Sequence, residues 1–396
     1  MKLHIHEKTL LDQGFREAFG GLPEGYFSAP GRTEIGGNHT DHQLGRVLAA
    51  AVNLDTRAAA ASNGTQTIRV LSQGYPLCRV ELDDLTPREQ ERNTTGALIR
   101  GVASGFASRG VMPKGLDIYV MSTVLPGSGL SSSAAFEVLL GTVFNALWAG
   151  GLPMEEIAKI GQYAENVHFG KPCGLMDQMA SAVGGLVAMD FSTGMVRPLR
   201  CDLSGWDHAL CIIDTHASHA DLTEEYAAVP AEMKAVAAYF GCQVLSQVPQ
   251  KQFFQQIPAL RQRFGDRPVL RAIHFFAENH RVEDQWSALE QGNFPAFLAL
   301  VRESGRSSFQ YLQNVIVSGS AAHQEMALAL ALCEKYLKGL GACRVHGGGF
   351  AGTIQAFVPR SILDGFCKWI DGLLGQGSCH VLSIRREGGI QLEVEE

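Results

Sequence analysis

Residues 125–135, Leu-Pro-Gly-Ser-Gly-Leu-Ser-Ser-Ser-Ala-Ala, constrain the fold of this chain more than any other stretch. The residues just before them, 116–120, alternate apolar with polar or amphipathic side chains at the period of a strand. After them, Phe136, Leu139, Leu140, Val143, Phe144 and Leu147 recur at helical spacing. A strand therefore runs into a Gly-rich turn and out into a helix. Glycine permits positive φ and close approach to a ligand, while three serines supply an N-cap and free hydroxyls beside the unpaired N–H groups of the helix's first turn. Those amides and the positive end of the helix dipole favour a phosphate, and a serine hydroxyl can ligate the magnesium that accompanies a nucleotide. Taken alone, the stretch reads equally as a turn followed by a capped helix.

At 396 residues the chain exceeds one ordinary core, which predicts two domains. Hydrophobic content of 46% with 18% charged residues describes a globular protein. A formal net charge of -7 without a basic cluster gives no electrostatic footing for nucleic acid or an anionic membrane. Residues 1–7 lack the apolar core of a signal peptide, and no segment approaches the roughly 20 uninterrupted apolar residues of a spanning helix; a cytoplasmic location is expected. Nine cysteines without a CxxC pair predict reduced thiols, mostly core filler, rather than disulfides or a structural zinc.

Three further stretches carry chemistry. Residues 29–42 crowd Arg32, Glu34, Asn38, His39, Asp41 and His42 among three glycines before the apolar run 47–52. So dense a polar loop suits a polyhydroxylated ligand, although singly Asp41 reads as a turn cap and His39 as a satisfied core histidine. Residues 153–169 read as one helix with Pro at its start, carrying Glu155, Glu156 and Glu165. In the next stretch, 170–179, Asp177 stands between Met176 and Met179 after a Gly-Leu turn, which predicts a partly buried carboxylate suited to general-base work; a helix N-cap is the plain alternative. Near the end, the glycines of 341–352 lead into an alternating strand, 353–358, as either a plain hairpin or a turn that closes over the first Gly-rich loop.

Elsewhere, 67–72 and 77–82 read as paired strands, 97–106 as a helix, 184–191 as a turn and strand, and 209–215 as a buried strand. A polar loop ending at residues 222–226 comes next. The remainder, 231–340, is mostly helical, with breaks near Gly265, Pro268, Gly292 and Pro295 and no residue singled out.

Together these stretches resemble the galactokinase branch of the GHMP kinases across nearly the whole chain. Residues 31–41 are similar to the galactokinase signature loop, 126–135 to the family's nucleotide loop, 172–178 to the stretch holding its catalytic aspartate, and 341–352 to its third motif. No GxxxxGK[ST] is present, which excludes a P-loop kinase. The resemblance implies an α+β protein of two domains, a ribosomal S5 domain 2-like domain over 1–200 and a ferredoxin-like domain over 201–396, with the active site in the cleft between them. It implies transfer of the ATP γ-phosphoryl to the anomeric hydroxyl of a hexose, with Asp177 taking the proton and Arg32 steadying both Asp177 and the phosphoryl. ATP would lie on Pro126, Gly127, Ser128, Gly129, Leu130, Ser131, Ser132 and Ser133. Mg2+ would be held by Ser133, helped by Glu165. Asn38, His39, Asp41, Tyr226 and the backbone at Gly174 would read the sugar. The implied partners are the hexose and ATP alone, for a monomeric chain.

The family pattern is broken in places. Asn38 replaces the family's glutamate near the sugar's C6, Glu34 stands at a family asparagine, His42 at a tyrosine and Ala351 at a glycine, and 227–230 lack the usual basic residues. Either end of the Asn38 amide still pairs with a hydroxyl, so galactose is the leading substrate. Loss of the carboxylate also admits a C6-carboxylate hexose, which His42 would pair with and Glu34 would repel, making a galacturonokinase the second reading. A sugar sensor that kept the fold without the chemistry is a third, against which Arg32, Asp177 and Ser133–Ala134 stand intact.

Overall fold

The computed structural model of the chain describes residues 1–124, 129–171, 173–199, 206–217 and 222–395. Its centre is the Ala-rich strand Arg46–Ser62. Val47, Ala49, Ala58 and Ala60 face one core, against Ile99, Val102, Phe106, Leu139 and Phe144 from the helices Thr95–Ala107 and Ser132–Leu147. Leu48, Ala50 and Val52 face a second core with Ile212, Val282 and Phe297. Burial on both faces explains why this strand reads as a continuous apolar run rather than an alternating one.

Strand Gly25–Gly36 lines one edge of Arg46–Ser62 along its length. On the other edge, Leu116–Ser122 pairs with residues 56–62 and Leu186–Asp190 with residues 46–50. Thr67–Ser72 joins Leu116–Ser122 in parallel and Cys78–Glu81 in antiparallel, and Ile390–Gln391 returns from the far end of the chain to pair with Gly25–Gly36. The register of Gly25–Gly36 slips between Pro30 and Arg32 and again between Glu34 and Gly36. Bulges of this kind re-aim side chains, and here they redirect Arg32 and Glu34. The polar stretch read from sequence as a loop over 29–42 is therefore strand as far as Gly36, and the turn begins only beyond that residue.

A second, wholly antiparallel sheet orders its strands Ala342–Val345, Thr353–Pro359, His208–Asp214 and Cys379–Leu382. In chain order that is 2-3-1-4, with helices between the first and second strands and helix Leu363–Leu374 between the third and fourth, the ferredoxin-like arrangement. Two further readings need correction. Residues 153–169 are not one uniform helix: Met154–Tyr163 is α-helical, but Ala164–Phe169 widens into a π-turn in which the N–H groups of Gly170 and Lys171 both reach Glu165 O. Tyr226 does not end a loop, because helix Thr223–Tyr239 already begins three residues earlier. No helix among the described residues is long and apolar enough to cross a membrane.

Candidate active site

The bulged strand end delivers Arg32 to Asp177, in the first turn of helix Met176–Val183. Arg32 Nε and Nη2 donate to Asp177 Oδ1 and Oδ2, each at 2.7 Å, a two-pronged pair that fixes the carboxylate plane. Arg32 Nη1 donates to Gly129 O and its backbone N–H to Leu130 O, so the same arginine fastens the Gly-rich loop. Leu130 itself is buried in the second core. Ser131 adds a third bond to the aspartate, Oγ to Oδ2 at 2.6 Å. Ser131 occupies the N-cap position of Ser132–Leu147 in the left-handed conformation, φ 57°, and caps nothing with its side chain. The capping role expected from the serines is thus diverted, since its hydroxyl is taken by Asp177. Burial would raise the Asp177 carboxyl, but the Arg32 charge and hydrogen bonds, with Ser131, hold it below the usual carboxylate value. Its side chain keeps 28% exposure, open to a ligand on one side.

Gly129 sits at φ 72°, and a Cβ there would lie 3.0 Å from His346 Nδ1. The strand hairpin Ala342–Val345/Thr353–Pro359 therefore also closes its turn over the first Gly-rich loop, combining both readings of 341–352. Pro126, Gly127 and Ser128 lie outside the described residues. Ser132 and Ser133 open the helix, half-buried.

Behind them the π-turn presents Glu165, with Oε1 3.5 Å from Ser133 Oγ and 3.1 Å from Lys171 Nζ. Such wide turns recur at functional sites. Gln178 Nε2 donates to both Glu165 Oε2 and Glu137 Oε2, at 2.8 and 2.9 Å. Among the described residues Glu137 Oε1 is buried without a partner, and burial, then the Glu165 charge, push the Glu137 carboxyl well above its usual value. One hydroxyl and two carboxylates on this side are the kind of oxygen donors that a hard divalent cation takes.

The signature turn lies on the other side of Asp177. Asp41 carries its carboxylate against Gly174, where a Cβ would sit 2.3 Å from Oδ2, so only glycine admits this approach. Burial pushes the Asp41 carboxyl up, with neighbouring Asp177 adding to the shift. His39 Nε2 meets Gly348 O at 2.9 Å and its Nδ1 meets His42 Nε2 at 3.3 Å, while Gln43 Nε2 reaches His42 Nδ1 at 3.1 Å. A consistent assignment makes each step a donation, Gln43 to His42 to His39 to the Gly348 carbonyl, with both rings neutral. Burial lowers His39 to about 4 and pushes His42 well below 6.5, which agrees. Tyr226 packs beneath the third glycine motif, its Oη donating to Gly349 O at 2.8 Å.

Asn38 is set apart from these groups. It has no exposed surface, its Nδ2 donates to Glu34 Oε1 and Gly347 O, and its Oδ1 accepts from Asn314 Nδ2 and Ser308 Oγ. Glu34 is ion-paired with fully buried Arg344. Sequence reasoning missed the partners of this turn: His274 Nε2 bonds Asn38 O at 2.9 Å, and Glu278 Oε1 accepts from Gly37 N and Ser304 Oγ. His346 was likewise passed over. The available signal was on helix Asp266–Glu290, where Arg271, His274, Glu278 and Gln285 share a buried face with Ala272, Phe275, Val282 and Leu289. Polar residues on an apolar stripe are the exception that needs a reason.

This site matches known proteins at the level of sequence and fold. A family model for the GHMP kinases N terminal domain matches residues 97–185, and one for the galactokinase galactose-binding signature matches residues 13–62. The chain is 33% identical over 364 residues to a galactokinase of Streptomyces coelicolor and 32% identical over 367 residues to one of Mannheimia succiniciproducens, each alignment covering 90% of both chains. The crystal structure of Lactococcus lactis galactokinase complexed with galactose superposes at TM-score 0.84 and 25% identity, over 97% of this chain and 99% of that one. A mevalonate kinase at 13% identity shares the fold, with TM-score 0.65 over 91% and 99% of the two chains. Identity at this level over nine-tenths of both lengths places the chain in the galactokinase family of the GHMP kinases.

Proposed function

We propose that this chain transfers the γ-phosphoryl of ATP to the anomeric hydroxyl of galactose, giving galactose 1-phosphate and ADP. The observation that carries the reading is the Arg32–Asp177 pair at the meeting of the signature turn and the Gly-rich loop. Asp177 is ionised at neutral pH, so its open oxygen accepts a hydrogen bond from the anomeric hydroxyl. As the new oxygen–phosphorus bond forms, the proton passes to that carboxylate and the bond from phosphorus to the β,γ-bridging oxygen breaks, its electron pair leaving with ADP. Arg32, charged throughout, keeps the carboxylate in plane and faces the developing charge. Ser133 Oγ and Glu165 would hold Mg2+, with Glu137 and Gln178 behind them. When bound, the ion neutralises phosphate charge. ATP would rest on Pro126 to Ser133.

Asp41, Tyr226 and the Gly174 backbone are proposed to read the sugar, with His39, whose two ring nitrogens are engaged by His42 and Gly348 O, holding the turn beside them, and with the chain working as two domains, 1–200 and 201–396, around the cleft. Asn38 is better read as holding the turn than as touching C6, because its amide is fully engaged by protein. Both ring nitrogens of His42 are engaged, Nε2 by His39 and Nδ1 by Gln43, which leaves neither for a C6 carboxylate and favours galactose over galacturonate. The test is ADP release from purified protein with ATP and Mg2+ against galactose, galacturonate, N-acetylgalactosamine, glucose, arabinose and mevalonate. Turnover led by galactose is the predicted result; turnover led by galacturonate, or sugar binding without turnover, would overturn it.

A further inference from the structure

The ferredoxin-like half carries thiols for which phosphoryl transfer has no use. Cys211, Cys333 and Cys343 lie inside the cluster between its sheet and helices Glu325–Leu337 and Leu363–Leu374, and Cys379 packs against that cluster. Cys379 is the first residue of the edge strand Cys379–Leu382, paired with Ile213, and Cys211 lies two residues along on the same face. Cys367 reaches that face from helix Leu363–Leu374, next to fully buried Phe366.

The two sulfurs of Cys367 and Cys379 are 3.5 Å apart, in non-bonded contact with the Cys379 thiol donating. A disulfide needs about 2.05 Å between sulfurs, so a small turn of the two side chains closes the gap. The surrounding backbone is already tied, because Cys379 N donates to Asp371 Oδ1 of the same helix at 3.0 Å. Both residues are half-buried and reachable from solvent, whereas Cys211 is buried. We propose that Cys367 and Cys379 are an oxidisable dithiol, a modification site at which low-molecular-weight disulfides form a reversible internal disulfide.

In the reaction the Cys367 thiolate attacks one sulfur of the small disulfide, forming a mixed disulfide and releasing one small thiolate, which takes up a proton. Cys379 then loses its proton to solvent and attacks Cys367 Sγ, expelling the second small thiolate, which is protonated in turn. Two protein thiols are oxidised to one disulfide, and one small disulfide is reduced to two thiols. Cys367 is the better first nucleophile. The Cys211 thiol as donor, against burial and with help from Cys379, lowers it below the usual thiol value, which favours the thiolate there. The product closes the loop 367–379 and staples the helix to the edge strand.

The full-length protein, incubated with oxidised glutathione, alkylated and mapped by peptide mass spectrometry, decides the matter. A 367–379 cross-link that dithiothreitol reverses, with the free-thiol count falling by two and galactose turnover unchanged, is the predicted result. Cys379→Ser should stop at a glutathione adduct on Cys367, and Cys367→Ser should show neither adduct nor cross-link at this place. A Cys367–Cys211 link, a glutathione adduct that persists in the wild type, or no reaction at 367 and 379 would overturn the proposal. The wild-type peptide map gives this answer even if a variant fails to fold.

Discussion

Asp177 is held between two opposed effects, a burial that would neutralise it and an arginine fork that keeps it charged, and the fork prevails. Replacing Asp177 by Asn removes the proton acceptor and keeps the shape; kcat for galactose should fall about 10²- to 10⁴-fold. A near-normal kcat in that variant would remove Asp177 from the chemistry. Arg32→Lys keeps the charge but loses the planar two-pronged bond and the hold on Gly129 O, and kcat should drop by about 10²-fold. The histidines that the fold desolvates make a prediction about acid. His39 in the folded chain titrates at about 4, below the 6.5 of an unfolded chain, so between these values the unfolded state binds the extra proton. The stability His39 contributes is present above pH 6.5 and is lost as pH falls towards 4, by at most about 3 kcal/mol. His274 and His346 shift in the same direction. Urea midpoints measured from pH 7.5 down to 4.5 should fall, and His39→Gln should flatten that slope; an unchanged slope would contradict the burial argument.

At the scale of elements, the strand Leu116–Ser122 and helix Ser132–Leu147, the paired strands near 67–82 and the late hairpin were all legible, because their apolar periods are long. What periodicity cannot register is a change of one residue per turn. The π-turn that aims Glu165 lies within an unbroken helical pattern, and the bulges that aim Arg32 lie within a strand that the dense polar residues disguise as loop. Helix Asp266–Glu290 was legible as helical, but its partners, 236 and 241 residues away in the chain, were not. Glu278→Ala would leave Arg281 and the Gly37 N–H facing a cavity and should cost about 3–5 kcal/mol in a urea unfolding curve. Gly174→Ala is the sharper test of the sugar side. A Cβ 2.3 Å from Asp41 Oδ2 must displace that carboxylate, so KM for galactose should rise about tenfold or more while the thermal midpoint stays near that of the wild type.

For the whole molecule, two sheets of different construction share a core, in which Leu48, Ala50 and Val52 of the first meet Ile212 of the second. The far end of the chain returns to the first sheet, where Ile390–Gln391 pairs with Gly25–Gly36. This return was invisible to sequence reasoning, because a two-residue strand has no period. The four motifs, by contrast, could be read as one site, and Arg32, Gly129, Ser131, Asp177 and His346 do lie together. Asn38 shows the limit of motif reading, for a polar residue in a signature turn can serve that turn's own backbone and neighbours instead of a ligand. If these residues phosphorylate galactose at its anomeric hydroxyl, 31P NMR of the product will show it. Wild-type protein with galactose, ATP and Mg2+ should give one new sugar phosphate whose phosphorus couples to the anomeric proton, formed at least about 10²-fold more slowly by Asp177→Asn. Phosphorus coupled to protons of another carbon, or no sugar phosphate from galactose at all, would contradict it.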